Sequence, residues 1–251
     1  MAPKFCSLLS GGKDSNYALY KALSMGWEPS CIVVVRPLRV DSWMFHTEAL
    51  DAPVMQARAM GLEGIVKVIR VSGVKEREVY ELGEGLKRIK RDVDFDVITV
   101  GALASEYQRR RIMRIASMLG VEVFAPAWGR DPESYMRGLV DEGFRFVIVR
   151  SSTWGLDWRH VGVPVEGEVL EDILSRARKY DFHPAFEGGE AETMVVHAPH
   201  YRMKLCFTAT IRREGPHVYT LDISELNLAP PHIDDNDCFR VESKASQLGI
   251  E

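Results

Sequence analysis

The chain has 251 residues, with 46% apolar, 27% charged and 9% aromatic side chains and a formal net charge of −4. That balance excludes a mainly disordered chain and gives no global pull toward nucleic acid. The length fits one large domain or two modest ones, at roughly 100–200 residues each. The purest apolar run, residues 31–35, is far short of the ~20 residues that cross a bilayer, so no membrane span is expected. The N-terminus has no apolar signal core, and the four cysteines (Cys6, Cys31, Cys206 and Cys238) form no CxxC pair. They read as isolated buried thiols in a reducing, cytoplasmic setting, without a disulfide framework or zinc knuckle.

In chain order, residues 5–9 form a short apolar strand, and SGGKDS leads from it into a helix stopped by Gly26. Residues 31–35 read as a second strand, and Pro53 opens a helix reaching Gly61. A third strand (65–71), a charged helix (75–90), a fourth strand (97–100), a helix (108–119) and a fifth strand (121–124) follow. Strands alternating with helices imply a parallel sheet covered on both faces, with ligands bound beyond the carboxyl ends of its strands. After Pro126 the texture changes. A helix (132–142), a strand (145–149) and a helix (169–180) lead to HPAFEGGEAET, and strands follow over 193–197, 203–213 and 217–221 with a turn at 214–216. The expected fold is α/β: a parallel doubly wound sheet over 1–128, a smaller α+β domain over 129–229, and a polar, poorly ordered tail over 230–251.

SGGKDS lies where a strand passes into a helix, with backbone N–H groups and the helix dipole favouring an anion. Gly11 and Gly12 permit close approach, Lys13 adds a cation, and Ser10 and Ser15 add hydroxyls. It is not a Walker loop, because Asp14 follows the lysine and the preceding glycine spacing is absent. A plain turn with a helix cap is the bland alternative.

SGGKDS after a first strand resembles the loop of the pyrophosphate-loop ATPases, a HUP-like Rossmannoid group that cleaves ATP between its α and β phosphates. That resemblance implies that Ser10, Gly11, Gly12, Lys13, Asp14 and Ser15 hold the leaving pyrophosphate. Asp14 either helps hold Mg²⁺ or caps the helix. DSWMFHT (41–47), GALASEYQRRRI (101–112), PAWGRD (126–131) and EGGEAET (187–193) then follow in the order seen in the diphthine–ammonia ligase family.

That resemblance implies ATP-dependent amidation of the diphthine carboxylate on elongation factor 2, through an acyl-adenylate. ATP, Mg²⁺ and free ammonium are the implied small partners, with no nucleic acid and with a homo-oligomer compatible. Such chemistry needs cations on the phosphates and a carboxylate to hold ammonium and take its proton. Lys13 and Arg111 are the candidate catalytic cations, with Gly101, Tyr107 and Gln108 beside the nucleotide. A basic cluster at a helix N-terminus opposes the dipole and so reads as recruited by an anion. Glu187 and Glu190, around Gly188 and Gly189, are the candidate groups for ammonium binding, proton acceptance or Mg²⁺ contact, and Glu192 falls on another face of its strand if the strand starts there. Met44, Phe45 and His46 read as a loop over the nucleotide. His183, His197 and His200 lack metal-ligand spacing.

The match departs from the family pattern in its second half. The family usually reads close to Asn-x-Ala-Gly before Glu-Gly-Gly-Glu, with an aromatic after it; here those places hold His183, Phe186 and Ala191. Where a Trp-Leu-Gly-Arg stretch is usual, this chain has His160-Val161-Gly162-Val163. The alternatives are therefore an adenylating enzyme acting on another carboxylate or a tRNA base, and a non-catalytic ATP sensor.

Overall fold

A computed structural model describes residues 2–38, 51–101 and 106–242, except the side chain of Tyr107. It divides into two compact units, Met1–Gly129 and Arg130–Glu251.

In the first unit the elements are β1 (Lys4–Leu8), α1 (Lys13–Ser24), β2 (Glu28–Pro37), α2 (Ala52–Met60), β3 (Val66–Val71), α3 (Arg77–Asp92), β4 (Val97–Thr99), α4 (Glu106–Leu119) and β5 (Glu122–Phe124). The strands stand in the order β3-β2-β1-β4-β5, all parallel. The unbroken apolar run in β2 is explained by burial on both faces of the sheet. Cys31 and Val33 join Cys6, Ile69 and Val71 against Leu82 and Leu86 of α3 and Ile112 and Ile115 of α4. Ile32 and Val34, equally buried, point to the other face, where α1 and α2 pack on β1 and β2. The strand order reverses between β1 and β4, and the turns leaving these two strands meet at that point.

The second unit comprises α5 (Pro132–Asp141), β6 (Arg145–Ser151), α6 (Gly167–Tyr180), β7 (Ala191–His197), β8 (Lys204–Gly215), β9 (Val218–Ala229), α7 (Asp235–Cys238) and β10 (Phe239–Val241). Helix α5 opens as its sequence dictates: Asp131 accepts the Ser134 N–H at 2.9 Å and Pro132 takes the first turn. The sheet order is β10-β8-β9-β6-β7. Three pairings are antiparallel, and β10 runs parallel to β8.

Two expectations change here. The segment from Pro230, read as a tail, contains α7 and β10, and β10 extends the sheet by pairing Phe239–Val241 with Phe207–Ala209. Asp235 pairs with Arg145 and with Lys204, a lysine only 1% exposed. The cysteines are not isolated thiols: Cys6 bonds Cys31 and Cys206 bonds Cys238. Distance along the chain hid both pairs. Cys6 and Cys31 are neighbours across β1 and β2 with Cα atoms 4.5 Å apart, and β8 and the end of α7 bring the other two Cα atoms to 4.4 Å. Among the described residues no helix is long and apolar enough to cross a membrane.

Candidate functional site

Strand β1 ends in a turn, Ser10-Gly11-Gly12, that delivers the chain to the N-terminus of α1. Gly11 has φ +93°, in the left-handed region, and a Cβ there would lie 3.3 Å from Pro53 Cγ. The Gly11 carbonyl accepts Gln56 Nε2 at 2.8 Å. The Gly12 carbonyl accepts Asn16 Nδ2 at 3.0 Å and the Ser15 hydroxyl at 3.1 Å. Ser15 Oγ in turn accepts the backbone N–H of Ser10 at 3.2 Å and its hydroxyl at 3.1 Å. Inward-facing side chains thus hold the carbonyls of the turn. Lys13 is 3% exposed, and its ammonium meets the Asp14 carboxylate at 2.8 Å. Gly12 is the helix cap, so Asp14 stands inside the first turn beside the cation rather than at the cap position.

Gly101 follows β4, and a Cβ there would overlap the backbone N of Ser15 and come within 2.7 Å of its Cα. Only a glycine lets the two turns approach so closely. Gly101 therefore shapes the loop from beneath. Asn16 and Gln56, both fully buried, are loop-holding residues that the motif search missed; the one available signal was an Asn directly after the motif.

The basic start of α4 is partly balanced by its own first residue. Glu106 meets Arg109 at 3.2 Å and Arg110 at 3.5 Å, the i+3 and i+4 neighbours. Arg109 also lies over the Trp128 ring at 4.7 Å. Arg111 reaches instead to Glu76, at the cap of α3. These pairs supply counter-charge that the sequence reading assigned to an external anion. Gln108 is half-buried on the same turn. Met44, Phe45 and His46, and the side chain of Tyr107, lie outside the described residues.

In the second unit the acidic turn precedes β7. Glu190 uses both carboxylate oxygens on its own loop, accepting the N–H of His183 at 3.0 Å and of Gly188 at 2.8 Å. Its backbone carbonyl accepts the Ser152 N–H, and the Ser152 hydroxyl donates to Gly189 O at 2.6 Å. His183 Nδ1 accepts the N–H of Ala185 at 3.2 Å and of Glu187 at 3.4 Å. Glu190 is thus the organiser of the turn, and half-buried Glu187 is carried by it. Among the described residues no group of three or more His, Cys, Asp or Glu side chains is placed to hold a metal ion.

Both units match family models: the diphthamide synthase N-terminal domain over residues 3–123, and the diphthamide synthase C-terminal domain over residues 131–220. The chain belongs to the diphthamide synthase family. Among its relatives, a diphthine–ammonia ligase of Danio rerio is 30% identical, covering 81% of this chain and 86% of that one. A diphthine–ammonia ligase of Bos taurus is 29% identical, over 80% and 82%. A solved structure, described as a predicted subunit of tRNA methyltransferase from Methanocaldococcus jannaschii, aligns with a TM-score of 0.41 at 14% identity over 78% of this chain and 98% of that one.

The departures from the diphthamide synthase pattern now have physical readings. His183 stands where the family has Asn, and its Nδ1 does what an Asn side-chain oxygen does in an Asx turn, accepting the N–H two residues on. Phe186 stands where the family has Gly, and its φ of +66° is the left-handed conformation that glycine favours. Its ring is buried and stacks near Phe182 at 6.5 Å. His160 is buried; its Nδ1 accepts the Asp157 N–H at 3.1 Å and its Nε2 meets Asp172 at 3.0 Å, so it joins a short helical turn to α6.

Proposed function

We propose that this chain is a diphthine–ammonia ligase that activates the carboxylate of diphthine on elongation factor 2 with ATP and amidates it with ammonium. The observation that carries the reading is the loop at β1–α1, with its carbonyls held inward and Lys13 at the helix start, in a chain matched by the family models across both units. Such a loop suits the β and γ phosphates of ATP, because the peptide N–H groups and the helix dipole favour an anion.

A carboxylate oxygen of the substrate attacks the α-phosphorus, and pyrophosphate leaves into the loop held by Ser10, Gly11, Gly12, Lys13 and Ser15. Ammonia then attacks the acyl carbon and AMP departs with the activated oxygen. Two protons leave the nitrogen in all: the first from ammonium before it attacks, which Glu187 is assigned to take, and the second from the tetrahedral adduct to solvent as AMP departs; Glu190 shapes the loop. The loop offers one carboxylate, Asp14, which meets Lys13 at 2.8 Å; Mg²⁺ takes one or two carboxylates besides phosphate oxygens and water, so a single one suffices beside a bound nucleotide. Asp14 would hold it, and the ion would offset charge on the leaving pyrophosphate.

The test is product analysis with ATP, Mg²⁺, ammonium and elongation factor 2 bearing diphthine. AMP is expected together with the small mass loss of exchanging a hydroxyl for an amino group on the modified histidine, and Lys13→Ala should abolish both. AMP without that mass change would replace diphthine by another carboxylate. ATP binding without AMP, whatever the acceptor, would overturn the enzyme reading.

A further inference from the structure

Every described peptide bond is trans, so the carbonyl of one residue and the N–H of the next point in opposite directions from one plane. Holding a carbonyl therefore aims the following N–H. The Gly12 N–H, which here donates to Ser10 Oγ at 3.4 Å on the exposed side of the loop, is set by whatever grips the Gly11 carbonyl, and the Lys13 N–H by whatever grips the Gly12 carbonyl. The second grip comes from Asn16 and Ser15, within the first turn of α1. The first comes from elsewhere: Gln56 on α2, a residue 45 positions away in sequence.

Gln56 is fully buried, and both ends of its amide are used at this place. Its Nε2 donates to Gly11 O at 2.8 Å, and its Oε1 accepts Asn16 Nδ2 at 3.2 Å. The same amide thus holds one glycine carbonyl directly and steadies the side chain that holds the next. Pro53, one turn earlier on α2, closes against Gly11 from the same side. A glycine pair is the most mobile stretch a chain can have, and an anion site works best when its donors are aimed before the anion arrives.

We propose that Gln56 is the positioning residue of the phosphate loop, fixing the Gly11–Gly12 peptide so that its N–H faces the pyrophosphate end of the nucleotide. It touches no substrate and acts through Gly11. The inference rests on the ATP reading above.

The variants Q56L and Q56E test it, with ATP and inorganic pyrophosphate as probes in calorimetric titrations against the wild type at matched pH. Q56L removes the donor and is expected to raise both dissociation constants by about tenfold or more. In Q56E the protonated carboxyl still donates to Gly11 O, whereas the ionised form repels it. Burial raises a carboxyl pKa, so the ratio of Q56E to wild-type dissociation constants should lie near one at about pH 6 and climb about tenfold by about pH 8.5. A glutamine that merely fills space gives a ratio that does not change with pH, and that result would overturn the proposal even if Q56L fails to fold. Should the wild type bind neither ATP nor pyrophosphate, the ATP reading falls and takes this one with it. Wild-type binding with a flat ratio sinks only the role of Gln56.

Discussion

At the scale of single residues, Glu190 of the acidic turn is bound into its own loop. Both oxygens of Glu190 are occupied by backbone N–H groups of its own loop, so the side chain is part of the frame. Glu190→Gln converts one acceptor into a donor facing an N–H, and should lower stability by roughly 1–3 kcal/mol in urea unfolding. Glu187→Gln should cost less in that unfolding measurement and lower kcat for amidation by about a hundredfold, the span of a general base. Equal effects of the two changes on stability would contradict this division. Gly101 makes the second residue-scale case. A methyl group there runs into the backbone of Ser15, which cannot turn aside as a side chain can. Gly101→Ala should cost about 1–3 kcal/mol and weaken ATP binding in the same protein. A variant that binds ATP normally would show that α1 can shift without disturbing the loop.

Whole elements reveal what is legible in a sequence and what is not. The parallel strands announce themselves because burial on both faces demands unbroken apolar runs, and residues 31–35 supply one. The place of the loop was legible for a similar reason: SGGKDS is contiguous, so a turn from strand to helix can be read there without folding the chain. Gln56 was not, since a polar residue inside a helix reads as surface until the fold carries it against a loop far away in sequence. Element β10 was hidden too. Three residues carry no periodicity, and the polar PPHIDDND stretch before them resembles a linker. Beside the Cys206–Cys238 bond, charge holds this part: Asp235 meets Arg145 and the buried Lys204, whose ammonium also donates to Ile233 O at 3.0 Å. Burial alone would raise the Asp235 carboxyl; the hydrogen bonds from Lys204 and Arg145 outweigh that and hold it below its usual range. Asp235→Ala would strand a buried ammonium and should cost roughly 3 kcal/mol, the low end for a broken buried pair, because Asp235 is a third exposed. Hydrogen exchange should show the loss concentrated in β8 and β10.

For the whole molecule, acidity offers a test that reaches beyond the site. His200 is packed between Phe144 and Tyr201; burial first, and the nearby His197 second, push its pKa down to about 3. The pKa of His197 is lowered as well, first by burial. Above the ordinary histidine value near 6.5, folded and unfolded chains are both neutral at these sites, and stability is flat. Below it the unfolded chain takes up protons that the folded one refuses. Stability should therefore fall as the pH drops from about 6.5 toward 3, by up to about 1.4 kcal/mol per unit for His200. The lowered carboxyls of Asp157, Asp172 and Asp235 add to this only below about pH 4. Comparing urea midpoints at about pH 5 and about pH 7.5 should show a smaller difference in His200→Phe than in the wild type. An unchanged difference would place the acid sensitivity elsewhere. The edge of the second sheet has a different bearing, on how the molecule keeps to itself. A strand of only three residues, joined through the Cys206–Cys238 bond and carrying exposed Arg240, is a poor template for another chain. Without it, the outermost strand would be the twelve residues of β8, alternating apolar and polar along their length. The last elements of the described fold act as a guard against self-recruitment, and a version cut before Pro230 should reveal this first in light scattering rather than in catalysis.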